Sequence, residues 1–270
     1  MAFRIGFTAA NEAENCPDQT RTVCADETEP RRSVVRVEFP GSGRELNYYN
    51  DRFDLHVGDY VFVEGKLAGL RGRVVEVNEN FYIRLSDYKR VIAVADTKVH
   101  GSFFFAGSHF VTFERSVLPA ERAASWFLPP DSGEEIVSGE GNAAFALNNL
   151  GQMNADGAVF ERGESYYMEN RVRYFCLDGE CGYAIIEGSR PYEVRFRYRS
   201  GTVSTITCTC FCCGVCKHEV AAMLQLRETL DTVSERYGRE YEVSGYLAAV
   251  AKGTLFSFVI DRRKTGSFTL

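Results

Sequence analysis

The chain of 270 residues is short of several things: it has one tryptophan, four methionines, four histidines and seven prolines, and its net charge is −6. With lysine and arginine outnumbered, the protein does not coat polyanions over its whole surface, and any nucleic-acid face must be local. The imbalance lies early in the chain, where residues 1–156 carry 16 Lys/Arg against 23 Asp/Glu; residues 157–270 carry 15 against 14. No stretch approaches the roughly 20 apolar residues of a membrane-spanning helix. The N-terminus MAFRIGFTAANEAENC lacks the uninterrupted apolar segment of a secretion signal. A soluble, cytoplasmic protein without a membrane partner is therefore expected. Also missing are a Gly-x-x-x-x-Gly-Lys-Ser/Thr phosphate loop, a dinucleotide fingerprint and a His-Glu-x-x-His signature. No small-molecule substrate is expected.

What is present is enough apolar material for a core, 45% hydrophobic and 13% aromatic, in a chain long enough for about two domains. Nine cysteines could suggest a disulfide framework, but the number is odd and five of them fall between 208 and 216. Reduced thiolates around a metal ion explain that crowding better than staples do. Cys208-Thr209-Cys210 is followed by Cys216-Lys217-His218 and then an apolar helical pattern. Three cysteines and a histidine are the ligand set of a closed tetrahedral Zn²⁺ site, which leaves no open position for catalysis. Metal ligands are thus expected at Cys208, Cys210, Cys216 and His218. Cys212 and Cys213 lie in the intervening loop, where the flanking pairs already complete the tetrahedron. Crowded thiols also fit poorly with a lone Cys/His nucleophile pair, so no enzyme is expected.

The remaining texture is mainly β with short helices, an α+β arrangement. Residues 1–32 read as a mobile, acidic-leaning tail containing Cys16 and Cys24. Short strands follow over 33–115: Ser33–Phe39, Asp54–Glu64, Gly72–Val77, Phe81–Leu85 and Val91–Ala95, separated by turns such as Gly41-Ser42-Gly43 and Ser86-Asp87. Their number and spacing suggest a small barrel, with Gly101–Phe113 as a further strand pair laid on it. Residues 116–155 hold a short helix, Leu118–Phe127, stopped by Pro129-Pro130, and a linker at Asp131–Asn142. The span 156–230 begins with meandering strands (Ser165–Met168, Arg171–Cys176, Gly182–Ile186 and Tyr192–Arg199). It ends in a strand, Val203–Thr207, that delivers the Cys-x-Cys pair to a helix carrying Val220, Ala221, Met223 and Leu224. A hairpin turn at Leu177–Glu180 brings Cys176 near Cys181. Residues 231–270 are expected as a β extension, with Leu255–Ile260 strand-like and Arg262-Arg263-Lys264 a basic turn. His56, His100 and His109 are solitary and expected to be structural or surface residues.

Two stretches resemble known families. Gly58-Asp59-Tyr60-Val61-Phe62-Val63-Glu64-Gly65, running on through Gly69-Leu70-Arg71-Gly72-Arg73-Val74-Val75-Glu76-Val77, resembles the KOW motif of SH3-like barrels. The order Cys-x-Cys, loop, Cys-x-His, short apolar helix resembles the SWIM zinc finger, as found beside some bacterial SWI2/SNF2-type helicases. That likeness runs from about Asp156 to Leu230 and includes Pro191-Tyr192-Glu193-Val194. It implies an SH3-like barrel followed by a β-meander with a zinc-clamped helix, and a partner that is nucleic acid, DNA rather than RNA, or a helicase-type protein. The motor itself is not in this sequence.

Tyr192–Arg199 (YEVRFRYR) alternates strictly, which places Arg195, Arg197 and Arg199 on one face of a strand. With Arg171, Arg173 and Lys217 they form a stripe that could contact phosphates. The expectation is a non-enzymatic nucleic-acid-binding module of a DNA-processing complex; the alternative is a pure protein-interaction adaptor.

Overall fold

The computed structural model describes residues 3–6, 30–39, 43–130, 144–210 and 212–261. The expected tail with Cys16 and Cys24, the turn residues Gly41 and Ser42, the linker at 131–142 and the basic turn at 262–264 lie outside the described residues.

Strand β1 (Phe3–Gly6) belongs to a large sheet; β2 (Ser33–Phe39), β3 (Arg44–Asn50), β4 (Tyr60–Val63), β5 (Gly72–Asn78) and β6 (Val91–Val94) form a small one. The small sheet is antiparallel in the order β3-β2-β5-β4-β6. Alternation on β2 buries Val35, Val37 and Phe39 against Tyr48, Val61, Val63 and Val74, as the pattern predicted. The sheet curls but does not close into the expected barrel. Its outer strands meet at one bridge, Tyr49 with Arg90, where the Tyr49 N–H donates to the Lys89 carbonyl at 2.9 Å. Closure needs a continuous stagger between edge strands, and β4 and β6 are only four residues each. Phe81–Leu85, expected as a strand, is irregular and leads into a single 3-10 turn at Leu85–Asp87.

Next come β7 (His100–Ala106), β8 (His109–Thr112), α1 (Ala120–Phe127), β9 (Ala144–Ala146), α2 (Gly157–Met168), β10 (Val172–Asp178), β11 (Cys181–Glu187), β12 (Pro191–Arg199), β13 (Thr202–Cys208), α3 (Lys217–Arg236), α4 (Gly238–Ser244), β14 (Tyr246–Ala251) and α5 (Lys252–Asp261). The large sheet is antiparallel in the order β1-β7-β8-β14-β10-β11-β12-β13-β9. The pair β7–β8, expected beside the barrel, sits in this sheet instead. Every residue of β8 and β14 is buried. Strands that are apolar on both faces need a layer on each side, and the small sheet offers only one interior.

Those layers are helical. On one face α2 and α3 cover Phe175, Leu177, Ile186, Val194, Phe196 and Leu247. On the other, α1 and α5 cover Tyr174, Ile185 and Val250, and Tyr60 of the small sheet joins them. Arg71 ties the two sheets together: its guanidinium lies 4.6 Å from the Tyr60 ring, and Nη1 donates to the Trp126 carbonyl at 2.6 Å.

Two segments read as strands are helices. Ser165–Met168 falls in α2, which starts where the Asp156 carboxylate accepts the Ala158 N–H at 2.9 Å. Leu255–Ile260 falls in α5, with Leu255 and Phe258 buried one turn apart; a short apolar run has no period that separates the two structures. The expected β extension over 231–270 is therefore the end of α3, α4, the central strand β14 and α5 among the described residues.

Candidate metal centre

The order expected around the cysteines is present. β13 ends at Cys208, whose backbone partner is Val194 of β12. Residues opposite one another in an antiparallel pair share a face, and Val194 packs toward α3, so Cys208 does too. The ladder continues past the strand end: Thr209 N–H donates to Glu193 O at 3.0 Å, and Thr209 Oγ1 accepts the Glu193 N–H at 3.0 Å. The chain then turns at Thr209-Cys210, which brings Cys210 to the same cluster as Cys208. A bulge precedes them, with Thr205 at φ +48°. A β-branched residue there is strained, and the extra residue re-aims the strand end. In the loop Gly214 adopts φ +87°, with open space where a side chain would stand, so its role is conformational.

Cys216 is the N-cap of α3 in a reciprocal capping box: its sulfur accepts the Glu219 N–H, and the Glu219 carboxylate accepts the Cys216 N–H at 2.9 Å. The sulfur thus lies at the positive end of a 20-residue helix. His218, in the first turn, is buried. Its Nδ1 stands 3.7 Å from Cys208 Sγ and 3.8 Å from Cys216 Sγ. The ligand atoms of Cys208, Cys210, Cys216 and His218 all lie within 4.8 Å of one another.

Those dimensions suit a tetrahedral ion, for which bonds of about 2.3 Å to sulfur and about 2.05 Å to nitrogen give N···S edges of about 3.6 Å. The group could hold a metal ion. Cys212 and Cys213 are exposed and stand outside it; the Cys212 thiol donates to the Cys210 carbonyl at 3.8 Å.

Electrostatics point the same way. Hydrogen bonding from Cys208, then from His218 and the backbone, holds the Cys216 thiol well below its ordinary value. Its bond to Cys216, with burial, raises the Cys208 thiol. Burial pushes Cys210 up to about 12. Burial and the negative charge at Cys216 push the Glu219 carboxyl up to about 8. The pocket thus accepts one thiolate readily and resists further negative charge, the condition a bound dication reverses.

Three supporting residues were not picked out from the sequence. The Tyr192 ring stacks on His218, centroids 4.1 Å apart at 19°, and Tyr166 meets its edge at 5.5 Å. The rings fix the imidazole, while its Nε2 is buried without a hydrogen-bond partner among the described residues. Glu219 is the third, and the signal for it was a glutamate three residues after the helix cap. Gly163 of α2 lets the two helices meet, because a Cβ there would stand 2.5 Å from Val220.

The expected nucleic-acid stripe fares differently. Arg195 pairs with Thr207 in the ladder, one residue out of phase with Cys208. Its row therefore faces away from the metal cluster, on the opposite side of the sheet. Each arginine also has a carboxylate neighbour: Arg195 with Glu193 at 3.7 Å, Arg197 and Arg199 with Glu180 at 3.3 Å, Arg171 with Glu169 at 2.6 Å, and Arg173 with Glu187. Lys217 sits over the Tyr166 ring at 4.6 Å.

His109 is buried in the core: Ser108 Oγ bonds its Nδ1 at 2.9 Å, and its Nε2 donates to Val172 O at 2.8 Å. Of the hairpin cysteines, Cys176 is buried and Cys181 exposed, both free. No helix among the described residues is long and apolar enough to cross a membrane. No protein-family model, curated protein or solved structure matches the chain.

Proposed function

We propose that this chain is a non-enzymatic, zinc-binding module of the SWIM type, acting in the cytoplasm within a DNA-processing complex. The observation that carries the reading is the convergence of Cys208, Cys210, Cys216 and His218 within 4.8 Å at the junction of β13 and α3. Three thiolates and an imidazole favour Zn²⁺ over harder cations. With four protein ligands the ion has a structural role: it clamps the end of the sheet to the first turn of α3. The small sheet, curled until its edges bridge at Tyr49 and Arg90, supports a KOW-like, SH3-like reading of β2 to β6 alone, short of closure and without the β7–β8 pair.

The module's partner in this reading is nucleic acid, with DNA ahead of RNA. The rival reading is a protein adaptor, for instance to a SWI2/SNF2-type helicase, and the ion pairing of Arg171, Arg173, Arg195, Arg197 and Arg199 favours it. Elemental analysis of protein purified under reducing conditions tests the metal: about one zinc per chain is expected, and none in Cys208→Ser or Cys216→Ser. Zinc-free wild-type protein would remove the basis for the proposal.

A further inference from the structure

The segment from Phe81 to Lys89 is an exposed loop with both ends held at one residue. At its start the Phe81 ring meets the Tyr49 ring edge-on at 6.0 Å, and at its end the Lys89 carbonyl accepts the Tyr49 N–H at 2.9 Å. The loop is thereby pinned on the rim where β3 approaches β6. Between those anchors Tyr82 is fully exposed, at 104% relative accessibility, and Leu85 is exposed beside it. Arg84 and Lys89 are exposed as well. Lys66, on the neighbouring turn, belongs to the same rim, since the Cβ position of Gly65 lies 3.4 Å from the Lys89 side chain.

The charges here differ from those of the β12 arginines. Lys66, Arg84 and Lys89 make no ion pair among the described residues, whereas Arg90 is held by Asp51. The loop's own acid, Asp87, accepts a hydrogen bond from Ser86. A freely presented phenol ring amid three uncommitted cations is poorly suited to an apolar protein surface, which would have to desolvate all three charges. It suits a single nucleic-acid strand, whose base planes stack on an aromatic ring while its phosphates take the cations.

We propose that single-stranded nucleic acid binds on this rim, with Tyr82 as the stacking platform and Lys66, Arg84 and Lys89 as the phosphate contacts. This rests on the nucleic-acid reading above and moves the contact surface from β12 to the small sheet.

The test is fluorescence anisotropy of labelled oligothymidylate and oligouridylate with the zinc-loaded 270-residue chain over a series of salt concentrations. Tyr82→Ala should weaken binding at least about fivefold. Replacing Lys66, Arg84 and Lys89 with alanine should reduce the slope of log affinity against log salt by about 2. The Arg195, Arg197 and Arg199 triple alanine variant should match wild type in both respects. Unchanged affinity and slope in the loop variants, with wild-type binding intact, overturn the placement alone. Absence of binding to both oligonucleotides at the lowest salt overturns the nucleic-acid reading and the placement with it.

Discussion

The two faces of β12 differ by one residue in phase and entirely in chemistry. Tyr192 and Val194 look toward α3, where the strand backs the metal cluster and lays a ring on His218. Arg195, Arg197 and Arg199 look the other way and are met by Glu193 and Glu180. On the first face four soft ligands converge, and among the described side chains no cation supplies the charge they call for. On the second, each charge is already answered within the fold. Residue type alone therefore says little about a binding surface; what matters is whether the fold has satisfied the groups it displays.

The largest break in that comparison is removal of the metal. A structural zinc contributes on the order of 10 kcal/mol to folding. Cys216→Ser, or a strong chelator, should therefore release the first turn of α3 and the end of β13. Amide exchange is expected to accelerate there while β2, β3 and β5 stay protected; uniform exchange across the chain would contradict a local clamp.

Acid should weaken the α3-facing side next. His109 contacts Phe175 on that face, and burial lowers its pKa from 6.5 to about 4. A depressed folded value means the contribution is present above pH 6.5 and is lost as pH falls from there toward 4. The loss approaches about 3 kcal/mol. Urea unfolding of wild type and His109→Gln at matched pH values checks this, and the variant should show the shallower decline.

Gly163→Val should cost about 2 kcal/mol by forcing α2 off Val220, read as a lower melting temperature. Tyr192→Ala should weaken zinc affinity about tenfold, as loss of a ligand-orienting group does, measured by competition with a colorimetric chelator.

The smallest effect sharpens the contrast from the other face. Arg195, Arg197 and Arg199 are largely exposed, and exposed pairs contribute little. Alanine at each should shift stability by no more than about 0.5 kcal/mol, with zinc content unchanged. A large loss of zinc in these variants would show that the two faces are coupled.

Much of the metal corner was legible because its determinants are local. Cys208, Cys210, Cys216 and His218 span eleven positions, a strand delivers the first pair at its end, and the apolar spacing of Val220, Ala221 and Leu224 announces the helix. The same alternation placed Val35, Val37 and Phe39 inside the small sheet. Local rules reach no further than the element that carries them. Ser165–Met168 and Leu255–Ile260 are apolar runs too short to show a period, and only their packing against α3 and against Trp126 and Tyr60 makes them helical.

What the chain by itself determined is a ligand set, a strand and a helix start, all written within a few residues of one another. The tertiary structure decided the rest. It put β8 in the large sheet, because a strand buried at every residue needs two covering layers, and β7 goes with it as its hairpin partner. It brought Glu180 and Glu187 from β11 and its turn onto the arginines, since cross-strand neighbours depend on register between distant segments. And it left Tyr82, Arg84 and Lys89 on a pinned rim, their side chains unpaired among the described residues, a property that exists only once the other charges have found their partners.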